Sequence, residues 1–125
     1  MRVLVTAASK HGATTEIAEA IATALRERGL TVDLTPPAEV AAVEPYDAVI
    51  LGSGVYAGRW VEEARTFVDR QADSLATRPV WLFSSGPLGD PPKPAEEATD
   101  AAPIAERLGA RGHRTFAGRL ERSEL

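Results

Sequence analysis

The chain has 125 residues, about one ordinary domain, and a chain of that length buries roughly two-thirds of its unfolded surface, so a real core is affordable and a second domain is not. Its formal net charge of -4, from 14 Lys+Arg against 18 Asp+Glu, gives no basic field to gather nucleic acid or anionic lipid. Without cysteine there are no disulfides, thiolate metal sites or Cys nucleophiles, so any redox function must be borrowed from a cofactor.

The opening MRVLVTAAS holds an apolar run far shorter than the ~20 residues of a membrane helix and lacks a signal-peptide cleavage pattern, which leads us to expect a cytoplasmic protein with no integral membrane segment. Arg2 to Ala7 lacks polar alternation, the pattern of a strand covered on both faces. Thr15 to Arg28 then puts Ile17, Ile21, Ala24 and Leu25 on one helical face, with Glu16 and Glu19 early, Arg26 and Arg28 late, and Gly29 as a stop.

Leu30 to Leu34 reads as a second strand ending at Pro36-Pro37, with one weak helical turn after it. Tyr46 to Leu51 is the third strand, running into a glycine-rich exit at Gly52-Ser53-Gly54. From near Trp60 a helix stacks Val61, Ala64, Val68, Ala72 and Leu75. Pro79 to Phe83 is the fourth strand, and Ser84 to Asp100 is a long loop, a candidate lid. Pro103 is tolerated only in a first helical turn, so a helix starts near Ala101 with Asp100 as cap and ends at Gly109 or Gly112; His113 to Ala117 is the fifth strand.

Such alternation predicts an α/β three-layer sandwich around a five-stranded parallel sheet in the order 2-1-3-4-5, with its ligand crevice where the first and third strands diverge. Three loops then matter. Ser9-Lys10-His11-Gly12-Ala13-Thr14-Thr15 joins a strand to a helix, so backbone N–H groups and the helix dipole converge there on a phosphate, with Ser9, Thr14 and Thr15 as hydroxyl donors and Gly12 allowing close approach. The spacing is neither a Walker loop nor the three-glycine dinucleotide turn. Lys10 and His11 offer charge beside the phosphate.

In this loop the chain resembles the flavodoxin family, whose phosphate loop reads Thr/Ser-x-Thr-Gly-x-Thr: Ser9, Gly12 and Thr14 match, and His11 stands where the family usually has Thr. The nearer likeness is to the branch that includes the flavodoxin-type protoporphyrinogen oxidase, which carries an additional segment late in its chain. The resemblance implies FMN. It implies that Ser9, Lys10, His11, Gly12, Ala13 and Thr14 hold its phosphate, that Ser53, Gly54, Val55, Tyr56, Ala57 and Gly58 form the isoalloxazine loop, and that Ser85, Gly86 and Gly89 belong to a second flavin loop. Trp60 reads as a packing residue and His113 as structural. Ser84 to Asp90 has no aromatic, so one flavin face is left open to a substrate.

The resemblance implies electron transfer or an oxidoreductase activity, oxidase-like or quinone-reductase-like, with a redox partner or small-molecule electron acceptor. No protein acid, base or nucleophile is required. The alternative is a flavin-free binding or regulatory module on the same fold. Because the chain stops at Leu125 where a last helix normally follows, one face of the sheet is expected to be partly uncovered, and either a homodimer partner covers it or the chain is a shortened form of a longer protein.

Overall fold

The computed structural model describes residues 1–9, 13–56, 59–86 and 101–117. In chain order the elements are β1 (Arg2–Ala8), α1 (Ala13–Glu27), β2 (Thr31–Leu34), a 3₁₀ turn (Pro37–Glu39), β3 (Ala48–Tyr56), β4 (Arg59–Trp60), α2 (Glu62–Leu75), β5 (Val80–Gly86), α3 (Ala101–Leu108) and β6 (Gly112–Ala117). The five long strands are all parallel, in the order β2-β1-β3-β5-β6, and β4 folds back antiparallel on β3. This is the expected 2-1-3-4-5 order with one short strand added.

Continuous apolar strands make both faces of the sheet into core. Val3, Val5, Phe83 and Ala48 pack with Ile17, Ala18 and Ala22 of α1 on one face. Leu4, Val49, Leu51 and Leu82 pack on the other with Phe67 and Val68 of α2 and Ile104 and Leu108 of α3. Both predicted glycine stops are Schellman caps. At Gly29 (φ 87°) the N–H of Leu30 reaches the Leu25 carbonyl, and at Gly109 (φ 62°) the N–H of Ala110 reaches that of Ala105, so α3 ends at Gly109 and not at Gly112.

Three expectations are corrected. β3 continues through Gly52-Ser53-Gly54 to Tyr56, and β5 through Ser84 to Gly86, because flanking parallel strands keep those small residues paired where local propensity alone signals a loop. The second helix starts at Glu62 rather than near Trp60, since Trp60 is held in β4 opposite Val55. On α1 the residues packed most deeply are Ile17, Ala18 and Ala22; Ile21, Ala24 and Leu25 are half-buried. Those three line an apolar groove of about 550 Å³ whose floor is Ile50, Trp81, Phe83 and Gly112, with Trp81 40% exposed. Of the predicted lid, Ser84 to Gly86 belong to β5; its residues 87–100, like residues 118–125, lie outside the described residues.

Toward the amino ends of the strands, Asp33 accepts hydrogen bonds from Tyr46 Oη and from the Arg2 guanidinium, each at 2.8 Å, while Arg2 lies over the Tyr46 ring. The Tyr46 and Arg2 bonds favour the ionised carboxylate and hold the Asp33 pKa below its usual range. A carboxylate depressed on folding contributes stability above its unfolded pKa and loses it as pH falls through the lower folded pKa. Asp33→Asn should therefore be less stable than wild type at neutral pH, and urea unfolding across an acid series should show the two converging below the normal Asp range.

Among the described residues, Thr6 Oγ1 is buried without a hydrogen-bond partner. An orphaned hydroxyl costs about 1–3 kcal/mol, so isosteric Thr6→Val should leave the fold as stable or more so by about 1 kcal/mol in denaturant titrations.

Candidate functional site

Strand order reverses between β1 and β3: the chain leaves β1 through α1 toward β2, and leaves β3 through α2 toward β5 on the opposite face. Connections therefore diverge above the carboxyl ends of β1 and β3, and a crevice must open there. Parallel register brings the predicted loops to one level, with Ala8, Ser53 and Ser84 in one row and Gly54 beside Ser85 in the next.

On the β1 side, Ser9 is half-buried at the strand end and α1 begins at Ala13, so the first N–H groups of the helix, including those of Ala13 and Thr14, open at this level. Thr14 is 1% exposed. A Cβ built on Gly54 would stand 3.1 Å from Thr14 Oγ1 and 3.8 Å from both Ser9 Cα and Ser9 Oγ. Ser9, Thr14 and Gly54, 40 or more positions apart for the last, thus surround one small cradle kept open by a missing side chain. Lys10, His11 and Gly12 lie outside the described residues.

On the β3 side the chain turns back as a hairpin. Val55 pairs with Trp60 and Tyr56 with Arg59, which leaves Ala57 and Gly58, outside the described residues, between the paired ends. The base of this hairpin is tied down. Ser53 Oγ, fully buried, accepts the N–H of Val61 at 3.0 Å and donates to the Gly54 carbonyl at 2.8 Å, so that hydroxyl serves the protein backbone. Arg65 Nε donates to the Trp60 carbonyl at 3.1 Å. Trp60 is 1% exposed, and its indole N–H donates to Ser84 Oγ at 2.8 Å; Ser84 Oγ in turn lies 2.7 Å from His113 Nε2.

At the end of β5, Ser85 is buried opposite Gly54, and Gly86 pairs with Ala117; Gly89 lies outside the described residues. Val55 is half-buried against the core. Sequence reasoning expected Trp60 to be a packing residue, which it is, but missed the hairpin and the polar chain through Ser84 to His113. Ala57-Gly58 is not one of the dipeptides that mark a two-residue hairpin, so the pairing of Val55 with Trp60 had no local signal.

Charge around the hairpin is mixed. Arg59, Arg65 and Arg107 line a cleft of about 270 Å³ with Asp69, which pairs with Arg107 at 2.7 Å. No group of three or more His, Asp or Glu able to hold a metal occurs among the described residues, and no helix among them is long and apolar enough to cross a membrane. What the described residues offer at this level is the main-chain N–H groups that open α1 and the cradle among Ser9, Thr14 and Gly54, an arrangement suited to an anionic group.

A family model described as a flavodoxin domain matches residues 4–125. No curated protein matches the chain. Among solved structures, a flavodoxin from the domain Archaea superposes with a TM-score of 0.76 at 17% identity, covering 99% of this chain and 88% of that one. The flavodoxin of Streptococcus pneumoniae TIGR4 gives 0.74 at 24% identity, with 99% and 90% covered. Rubredoxin oxygen:oxidoreductase from Desulfovibrio gigas gives 0.78 at 15% identity over 98% of this chain and 32% of that one, so the same fold there forms part of a longer protein.

Proposed function

Because the chain belongs to the flavodoxin domain family, whose members bind FMN, we propose that it is an FMN-dependent electron-transfer protein with its cofactor in the crevice above β1 and β3. When bound, FMN supplies redox chemistry that no side chain of this cysteine-free chain offers. The observation that carries the reading is the cradle among Ser9, Thr14 and Gly54, where a Cβ would be crowded at 3.1 Å and the first N–H groups of α1 open. In this reading residues 9–14 hold the phosphate. The hairpin 53–58 and the exit of β5 at Ser85, Gly86 and Gly89 border the isoalloxazine and exclude water from it.

Arg59 and Arg65 at the hairpin make its surround less acidic than that of a soluble electron carrier, which favours oxidase-like or quinone-reductase-like use of the flavin with an anionic partner or small-molecule acceptor. The test is a titration of the purified protein with FMN and with riboflavin, followed by flavin absorbance and fluorescence. Charge-assisted hydrogen bonds to the phosphate should make FMN bind at least about 100-fold more tightly. Equal affinities would remove the phosphate from the first loop. A protein that takes up neither ligand would be the flavin-free module instead.

We also propose that the apolar groove is covered by a second copy of the chain. Its floor leaves Trp81 40% exposed between α1 and the edge of the sheet, an apolar surface that a two-fold contact with a second copy would remove from water. Sedimentation should give a dimer at tens of micromolar for wild type and a monomer for Trp81→Glu; a wild-type monomer at that concentration refutes the dimer.

A further inference from the structure

We infer that Ser84 and His113 are positioning residues for the hairpin that borders the flavin ring, acting through the indole of Trp60. Neither was assigned to the site, and the inference rests on the FMN reading only for its functional consequence. The structural basis is a polar chain across β4, β5 and β6: Trp60 Nε1 to Ser84 Oγ at 2.8 Å, then Ser84 Oγ to His113 Nε2 at 2.7 Å. Trp60 and Ser84 are 1% and 0% exposed, and His113 is half-buried.

An indole N–H can only donate, so Ser84 Oγ is the acceptor there, and the tautomer of His113 decides whether the serine gives its own proton to Nε2 or takes one from it. In both arrangements the one hydroxyl bridges the buried indole and the imidazole, and such a polar chain holds its members in place.

What the network holds is close to the proposed ring site. Trp60 is the return half of the Val55–Trp60 pair, so fixing its indole fixes the strand that carries residues 55 and 56. Ser84 immediately precedes Ser85, so the same hydroxyl ties the hairpin to the strand that leads into the second flavin loop. The phosphate cradle, by contrast, lies among Ser9, Thr14 and Gly54 on the β1 side of β3, whereas His113 stands on β6, two strands away. Disturbing His113 should thus weaken grip on the ring and leave recognition of the phosphate intact.

The test uses the whole chain in a Trp81→Phe background, which leaves Trp60 as the single tryptophan. Without flavin, Ser84→Ala and His113→Leu should shift the Trp60 emission, whereas His113→Gln, which keeps an acceptor, and Ser84→Thr, which keeps the hydroxyl, should retain the wild-type spectrum. With flavin, His113→Leu should raise the Kd for FMN and for riboflavin by the same factor, about three- to tenfold for a lost hydrogen bond, and His113→Gln should recover most of it. In a Trp60→Phe background His113→Leu should cost nothing more. The inference is overturned if Gln and Leu at position 113 behave alike, if the losses from positions 60 and 113 simply add, or if FMN loses affinity far more than riboflavin. A wild-type chain that takes up no flavin would sink the FMN reading, and the emission spectra would still decide whether the chain of hydrogen bonds holds Trp60.

Discussion

Gly52→Ala is expected to cost about 2–4 kcal/mol of stability, roughly 10 °C in Tm, although it adds a single methyl group. Gly52 lies in β3 between Ala7 of β1 and Phe83 of β5. A Cβ there would stand 2.0 Å from Phe83 Cζ and 2.3 Å from both Cε atoms, far inside van der Waals contact. The phenyl ring lies over the bare glycine at 2% exposure, packed with Val5 and Ile17, and its one open side is the apolar groove that it helps to floor. Either the ring gives up its packing on Val5 and Ile17 and turns out into that groove, or the strands part. The specific check is the double mutant: Phe83→Leu removes the atoms that clash, so Gly52→Ala should cost little in that background, a coupling of the kind expected between touching residues. Additive losses, or a single-mutant loss below 1 kcal/mol by urea unfolding, would mean that the ring does not need this glycine. Because Phe83 directly precedes Ser84 and Ser85, the variant should also loosen FMN.

That pairing illustrates how far the sequence could be read. Strand order and helix faces follow from periodicity, since the alternation of buried runs with amphipathic stretches leaves few topologies, and both helix stops were visible as glycines with the positive φ they supply. The extent of β3 and β5 was not visible. Gly52-Ser53-Gly54 and Ser84-Ser85-Gly86 have the local chemistry of turns, and only cross-strand partners, an aromatic ring over Gly52 and parallel neighbours on both sides, keep them extended. The same limit applies to the site. The loop after β1 could be singled out as a candidate because its chemistry is local: a strand end, small residues and a helix start. Gly54, 40 or more positions from Ser9 and Thr14, and the chain from Trp60 to His113, with steps of 24 and 29, join residues whose separations carry no pattern in one dimension.

Gly54→Val should weaken FMN at least about 100-fold while leaving the fold intact, because a β-branched residue suits an extended strand end but fills the cradle. Its Cβ would crowd Thr14 Oγ1 at 3.1 Å, and its methyl groups would take space that a ligand needs between Thr14 and Ser9. Loss of space does not by itself identify which part of the ligand was excluded. Thr14→Val answers that, since it keeps the shape of a residue only 1% exposed and removes one hydroxyl from the first turn of α1. If that hydroxyl faces the phosphate, Thr14→Val should cost about 10- to 150-fold in FMN affinity, the worth of one hydrogen bond to a charged group, and leave riboflavin unchanged. Thermal unfolding of the flavin-free variants separates binding from misfolding. Parallel losses for FMN and riboflavin at position 14, with Tm preserved, would place the ribityl or the ring beside α1 and require the cofactor to lie the other way round in the crevice.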